Sequence, residues 1–261
     1  MTDADIHRPD YRTYPDLAYT EAMPEFAELE ALRFHRKWEA SIGYRIFAAL
    51  RWGQLGEGHI SARDPIHTDH FWVLAHGVPF SAATVDQLVL VDPEGRVVEG
   101  GASEGDEPTR TGINTAAYNI HGPILAANPS MVSAAHTHTP FGTPWSANVE
   151  PFKAISQEAC IFVFDQSLYL GEDLEVASPA GGRAIAETMG RTRLCILRNH
   201  GLLTGGRSPG DAVGAFVLAE RVAEVHVKAP AAKAISDAAA SVVADSLETG
   251  DVGWRVFQWL A

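Results

Sequence analysis

Between His59 and Gly100 the chain reads as four short β-rich segments, "HISAR", "HFWVLAH", "QLVLVD" and "GRVVEG", divided by Asp, Pro and Gly, and no other stretch narrows the fold as much. Runs this short, rich in Val, Ile, Leu and aromatics, have strand length, and "DPEG" at Asp92 to Gly95 is a turn signal between paired strands. An antiparallel set is expected there. The flanking patterns are helical. From Glu25 to Leu50, residues Ile42, Ile46, Ala49 and Leu50 share one face. In "INTAAYNIHGPILAAN", residues Ile113, Ala117, Ile120 and Ile124 do the same, with Pro123 expected to kink or divide the helix. Further strands are expected at "MVSAAHTH", "CIFVF" and "RLCILRN", with the helix "GGRAIAETMG" between the last two. A long helix then starts at Ser208, placed as an N-cap with Asp211 three residues on. Interleaving of this kind predicts an α/β fold, a mixed sheet with helices on both faces.

With 261 residues, 46% of them hydrophobic, and no visible joint, a single domain over 25–261 is expected, preceded by a loosely structured arm over 1–24. The formal net charge of −13 repels phosphate backbones and anionic lipid, so a small-molecule substrate is expected, with no nucleic acid and no membrane partner. The first residues lack a cationic start and an apolar core, and no run approaches the ~20 apolar residues of a spanning helix. Cys160 and Cys195 form no CxxC pair and read as buried thiols. A cytoplasmic protein is the expectation.

The segment "SAAHTHTPFG" raises the chemistry. Side chains two apart on a strand share a face, with Cβ atoms roughly 6 to 7 Å apart, so His136 and His138 can reach one ion while Thr137 turns away. Further on, "CILRNHGLLTGG" brings His200 to a strand's carboxyl end, where open α/β sheets place ligands. Three imidazoles from two strand ends would fill three positions of a divalent ion and leave others open, as catalytic sites do.

On these motifs the chain resembles the class II aldolase/adducin family, in its adducin-like branch: "NTAAYNIHGPILAANPSMVSAAHTHTPFGTPWSA", then "LCILRNHGLLTGG", with "GEGHISARDP" upstream. The likeness runs from about Glu25 to Lys228, and the order of its three blocks is more specific than any one of them. It implies a three-layer α/β/α fold around a mostly antiparallel sheet, a homotetramer with sites at subunit interfaces, and one divalent transition metal ion per chain held by His136, His138 and His200. Zinc or iron(II) suits that donor set, with manganese or cobalt as alternatives.

One departure matters. The family's sugar-phosphate aldolases carry a glutamate ligand and acid/base one turn before the helix histidine; counting back from His121 puts Ala117 there. Proton transfer then falls to another group. Glu158 in "SQEACIF" is one candidate, with a surface salt-bridge role as its alternative. His59, Ser61 and Arg63 alternate along one strand face; Arg63 either clamps a substrate carboxylate in two parallel hydrogen bonds or pairs with an acid and pins its loop. The catalytic set expected is therefore Glu158, Arg63 and His59, with Ser61, Arg63, Tyr118, His121 and Trp145 as candidates for contact with substrate. His35, His67, His70, His76 and His226 have no evident partner.

Three readings follow. The first is a metal-dependent lyase that cleaves a C–C bond of a small 2-oxo or 2-hydroxy acid through a metal-bound enediolate. The second is an iron(II) oxygenase performing oxidative C–C cleavage or decarboxylation of a 2-oxo acid, a reading that accounts better for Ala117. The third is a non-catalytic adducin-like assembly module, which intact metal histidines argue against.

Overall fold

The computed structural model describes residues 19–100, 112–172, 175–247 and 252–261. Helix α1 (Leu29–Ala49) is followed by strands β1 (His59–Ile60), β2 (Ala62–Arg63), β3 (Phe71–Leu74), β4 (Leu88–Val91) and β5 (Val97–Glu99). Then come α2 (Thr115–Ala127), β6 (Ser133–Thr137), two short helices α3 (Gly142–Ala147) and α4 (Cys160–Val163), and β7 (Gln166–Tyr169). The chain continues through α5 (Pro179–Met189), β8 (Leu194–Leu197), β9 (Gly201–Gly206), α6 (Pro209–Lys228), α7 (Asp237–Leu247) and α8 (Val252–Leu260).

Two strand sets form, in the orders β1-β6-β9-β8-β7 and β2-β3-β4-β5. The segment 59–63 joins them, because Ser61 and Arg63 donate their backbone N–H groups to Ala134 and Val132 beside β6. Among the described pairs only β7 and β8 run parallel. Both faces are covered, and the period-2 alternation of the strands decides what goes where. Trp72, Leu74, Ala135, Leu194, Ile196 and Leu202 pack with α1, α6 and α8. Their strand neighbours Phe71, Val73, Ala134, Cys195, Leu197 and Leu203 pack with α2 and α5. This double-sided core makes the three-layer α/β/α arrangement that the resemblance implies.

Several expectations need correction. "CIFVF" is the short helix α4, and the strand is the next segment, "QSLY", where the Gln166 side chain bonds both the N–H and the C=O of Phe152. A short apolar run reads alike as buried strand or buried helix, which is why periodicity misplaced it. "GLLTGG" is a full strand, β9, inserted between β6 and β8, so His200 sits in a hairpin turn and not at the end of a last strand. Helix α2 runs unbroken through Pro123. The carbonyl of Asn119, four residues back, loses its helical donor and faces Gly182 of α5, where a Cβ would fall 1.6 Å from that oxygen. Gly182→Ala is therefore expected to destabilise the fold by about 3 kcal/mol, the upper part of the usual overpacking range. A urea unfolding midpoint equal to that of the parent would contradict this packing.

Of the arm expected over 1–24, residues 1–18 lie outside the described residues, whereas Thr20 is tied to α8: Gln258 Oε1 accepts from its N–H at 2.8 Å, and Gln258 Nε2 donates to its carbonyl at 2.8 Å. Ser208 caps α6 as expected, accepting from the N–H of Asp211. Both cysteines are free and buried. No described helix is long and apolar enough to cross a membrane.

Candidate metal centre

Strand β6 sits between β1 and β9, so His136 lies directly opposite His59 on one side and Leu203 on the other. The close approach of β1 needs Gly58 (φ +106°), where a Cβ would come 2.6 Å from the His136 carbonyl oxygen. His138 stands one residue beyond β6 on the same side as His136. His200 arrives from the turn between β8 and β9, which Asn199 closes in the left-handed region (φ 54°).

The three rings converge. Centroids are 5.4 Å apart for His136 and His138, 4.7 Å for His136 and His200, and 5.1 Å for His138 and His200. One ring nitrogen from each can be chosen so that all lie within 4.8 Å of one another, and this is the metal-capable cluster of His, Cys, Asp and Glu among the described residues. His136 Nδ1 donates to the Leu202 carbonyl at 2.7 Å, which fixes the tautomer and frees Nε2 toward the cluster. The donor set fits a divalent transition ion. Burial, reinforced by neighbouring histidines, holds His136 well below its ordinary value and His200 at about 4, so both imidazoles are neutral near pH 7, the form a metal would need.

Beside this cluster lies a second chain of groups. The His59 ring is 5.2 Å from that of His136; its Nδ1 lies 2.6 Å from His121 Nε2, and His121 Nδ1 lies 2.6 Å from Ser61 Oγ. Ser61 also accepts from the Ala134 N–H. All three side chains are buried. Burial, and then nearby histidine charge, lowers His59 strongly and takes His121 to about 3. The charges acting on His59, His121 and His200 are those of other histidines, with no carboxylate among them. His59 also lines a cavity of about 520 Å³ with Tyr44, Trp52, Phe80, His76 and Asn114, and no Lys or Arg lines it.

A pH dependence follows. The unfolded chain binds protons on these imidazoles near 6.5, while the folded chain refuses them down to about 3 for His121 and about 4 for His200. Stability of the metal-free protein is thus expected to be full above pH 6.5 and to fall as pH drops through that window. Each such group contributes a loss of roughly 2 kcal/mol by about pH 5. Melting temperatures across pH 7.5 to 4.5 check this, and a flat profile would refute it.

Other expected site residues lie elsewhere. The Arg63 guanidinium donates to backbone carbonyls, those of Thr68, Met131, Asn128 and Leu125, and so pins the end of α2, with no hydrogen bond or ion pair to the histidine cluster among the described residues. Tyr118 donates to the Pro93 carbonyl at 2.9 Å and packs on the β4–β5 turn. Trp145 is buried against Phe152 and His226. Glu158 is exposed in the turn before α4, whose Cys160 packs with Ala154 and with Ala240 of α7; among the described residues no hydrogen bond or ion pair links it to the histidines. Ala117, where the family's glutamate would stand, is buried in the α2–α5 core. Ser61 and His121, expected to contact substrate, do not line the cavity and are joined to it through the hydrogen bonds from Ser61 to His121 and from His121 to His59. Glu220 was missed altogether, although a lone acid within the apolar run "AFVLAERVA" is a signal that could have found it.

Comparison with known proteins bears on this geometry. The family model described as "Class II Aldolase and Adducin N-terminal domain" matches residues 42–227. The decarboxylase NovR of Streptomyces niveus is 31% identical over 246 residues, 92% of this chain and 87% of that protein. The 4-hydroxy-3-prenylphenylpyruvate oxygenase/4-hydroxy-3-prenylbenzoate synthase of Streptomyces roseochromogenus subsp. oscitans is also 31% identical, over 92% and 85% of the two chains. Among solved structures, the L-fuculose 1-phosphate aldolase from Glaciozyma antarctica PI12 superposes with a TM-score of 0.81 at 31% identity, over 92% of this chain and 94% of that one.

Proposed function

Because the chain belongs to the class II aldolase and adducin family, we propose that it is a metal-dependent lyase, breaking a carbon–carbon bond of a small 2-oxo or 2-hydroxy acid at the three-histidine cluster. The observation that carries this reading is the convergence of His136, His138 and His200, with the ring of His59, which lines a neighbouring cavity, 5.2 Å from that of His136. A divalent transition ion, when bound, supplies Lewis-acid polarisation of the substrate carbonyl and leaves coordination positions open to it.

The protein's own groups handle the proton. If His59 Nδ1–H donates to His121 Nε2, and His121 Nδ1–H donates to Ser61 Oγ, then His59 Nε2 carries a free lone pair and can take a proton. With all donors reversed, Ser61 Oγ–H bonds His121 Nδ1, His121 Nε2–H bonds His59 Nδ1, and His59 Nε2–H can give one. Either state leaves every nitrogen between the rings paired, so the chain Ser61–His121–His59 holds both tautomers without a buried orphan. It takes the part that a glutamate at position 117 would have played. The cavity lining, largely apolar with Tyr44, Trp52 and Phe80 in it and no Lys or Arg among the described residues, suits an uncharged or aryl substituent better than a phosphate. A homotetramer with sites at subunit junctions belongs to the same reading, and light scattering at four chain masses is its expected result.

Two observations favour a second reading, an iron(II) oxygenase acting on a 2-oxo acid: among the described residues no carboxylate belongs to the imidazole cluster, and relatives are named a decarboxylase and an oxygenase. Turnover of a panel of 2-oxo and 2-hydroxy acids, with aryl and alkyl tails, separates the two. The lyase works anaerobically with zinc or manganese. Oxygen uptake matched to 2-oxo acid loss, with the iron(II) form alone, would replace it by the oxygenase.

A further inference from the structure

Glu220 lies in the middle of α6, 3% exposed, between Phe216, Val217, Ala219, Val222 and Ala223, all buried. A carboxylate in such surroundings is expensive unless its lone pairs are filled, and burial pushes its pKa up. Among the described residues no cation fills them. Its described hydrogen-bond partners all come from one four-residue turn: Thr139 Oγ1 and the Gly142 N–H donate to Oε2 at 2.6 and 2.7 Å, and the Phe141 N–H donates to Oε1 at 2.9 Å. That turn begins at the residue after His138.

The contact is tight and closed on itself. A Cβ at Gly142 would come within 2.7 Å of Thr139 Oγ1 and 2.8 Å of both Glu220 Oε2 and Leu202 Cδ1, so nothing larger than glycine fits under the carboxylate. Thr143 Oγ1 accepts from the Thr139 N–H at 3.0 Å and locks the other side of the turn. The carbonyl of the same Leu202 orients His136. His138, in contrast, is exposed and has no side-chain hydrogen bond among the described contacts. Its place depends on its backbone, held by β6 before it and by the Glu220-bound turn after it.

We infer that Glu220 is a positioning residue for the metal centre: by gripping Thr139, Phe141 and Gly142 from α6, its carboxylate sets where His138 stands and so how tightly the three imidazoles hold their ion. The inference rests on the metal-site reading of the proposed function. Glutamine at this position keeps the volume but has one oxygen for three donors, and turns an N–H₂ group toward at least one N–H or O–H. Groups that orient metal ligands indirectly change affinity by about 10- to 100-fold.

The test measures Co²⁺ affinity by chelator competition, with the visible Co²⁺ spectrum, in the full-length protein and in Glu220→Gln, Thr139→Val, His138→Ala and His138→Ala/Glu220→Gln. Glu220→Gln is expected to bind about 10-fold or more weakly with an altered spectrum, and Thr139→Val, which removes one of three donors, less weakly in the same direction. In the His138→Ala background Glu220→Gln is expected to add no further loss, since the ligand it positions is gone. Affinity within twofold of the parent in a folded Glu220→Gln protein would overturn the inference. An equal loss with and without His138 would overturn it too, by showing general loosening. Should Glu220→Gln fail to fold, Thr139→Val alone and with His138→Ala decides by the same criteria. A parent protein that takes up no Co²⁺ would remove the metal reading itself, an outcome distinct from parent binding that the variants leave unchanged.

Discussion

His200→Ala is expected to strip the protein of its ion and of all turnover. One of three imidazole donors goes, and the two that remain, His136 and His138, form a bidentate site on a single strand end. Loss of a direct ligand exceeds the 10- to 100-fold produced by losing an orienting group, so affinity is expected to drop by more than about 100-fold. His200 is the better choice for the experiment than His136. It is partly exposed, whereas His136 is 1% exposed and its removal would also break the bond from its Nδ1 to the Leu202 carbonyl. Metal analysis of His200→Ala after dialysis, alongside its melting temperature without metal, separates lost ligation from lost folding. A folded variant that keeps one ion per chain would end the three-histidine assignment.

The second large effect is expected at His59. His59→Gln keeps an amide able to bond His121 but offers no nitrogen that both takes and gives a proton, so kcat should fall by about 10²- to 10⁴-fold, the usual weight of a general acid/base. Metal content should stay at the parent level, because the proposed ligands are His136, His138 and His200. His121→Phe, which interrupts the link to Ser61 while filling the space, should lower kcat by less and shift the pH profile, since His59 then loses the partner that stabilises its second tautomer. Parent-like kcat in His59→Gln would move proton transfer to another group and return Glu158, across a subunit junction, to consideration.

What could be read from the chain divides along one line. The histidine cluster was legible because donor chemistry is written in residue type and local spacing: two histidines two apart on a strand, and a third before a glycine turn, need no distant partner to be recognised as a group that could hold an ion. The same holds for the Ser208 cap and for the alternation that sorts strand residues between the two faces. Arg63 was misread for the opposite reason. Its charge invited a substrate carboxylate, but the carbonyls at the end of α2, some 62 residues on, satisfy it first. The "CIFVF" segment failed because an apolar run of five has no periodicity that separates strand from helix.

Residue order and chemistry alone determined the fold class, the histidine trio and the want of a glutamate at position 117. Only the tertiary structure decided that His121 and Ser61 back His59, that Glu158 is exposed in the turn before α4, and that Glu220 grips a turn some 80 residues away in sequence. The physical reason is that a buried polar group must find its partners wherever the packed layers bring them, and sequence separation carries no information about which partner that will be.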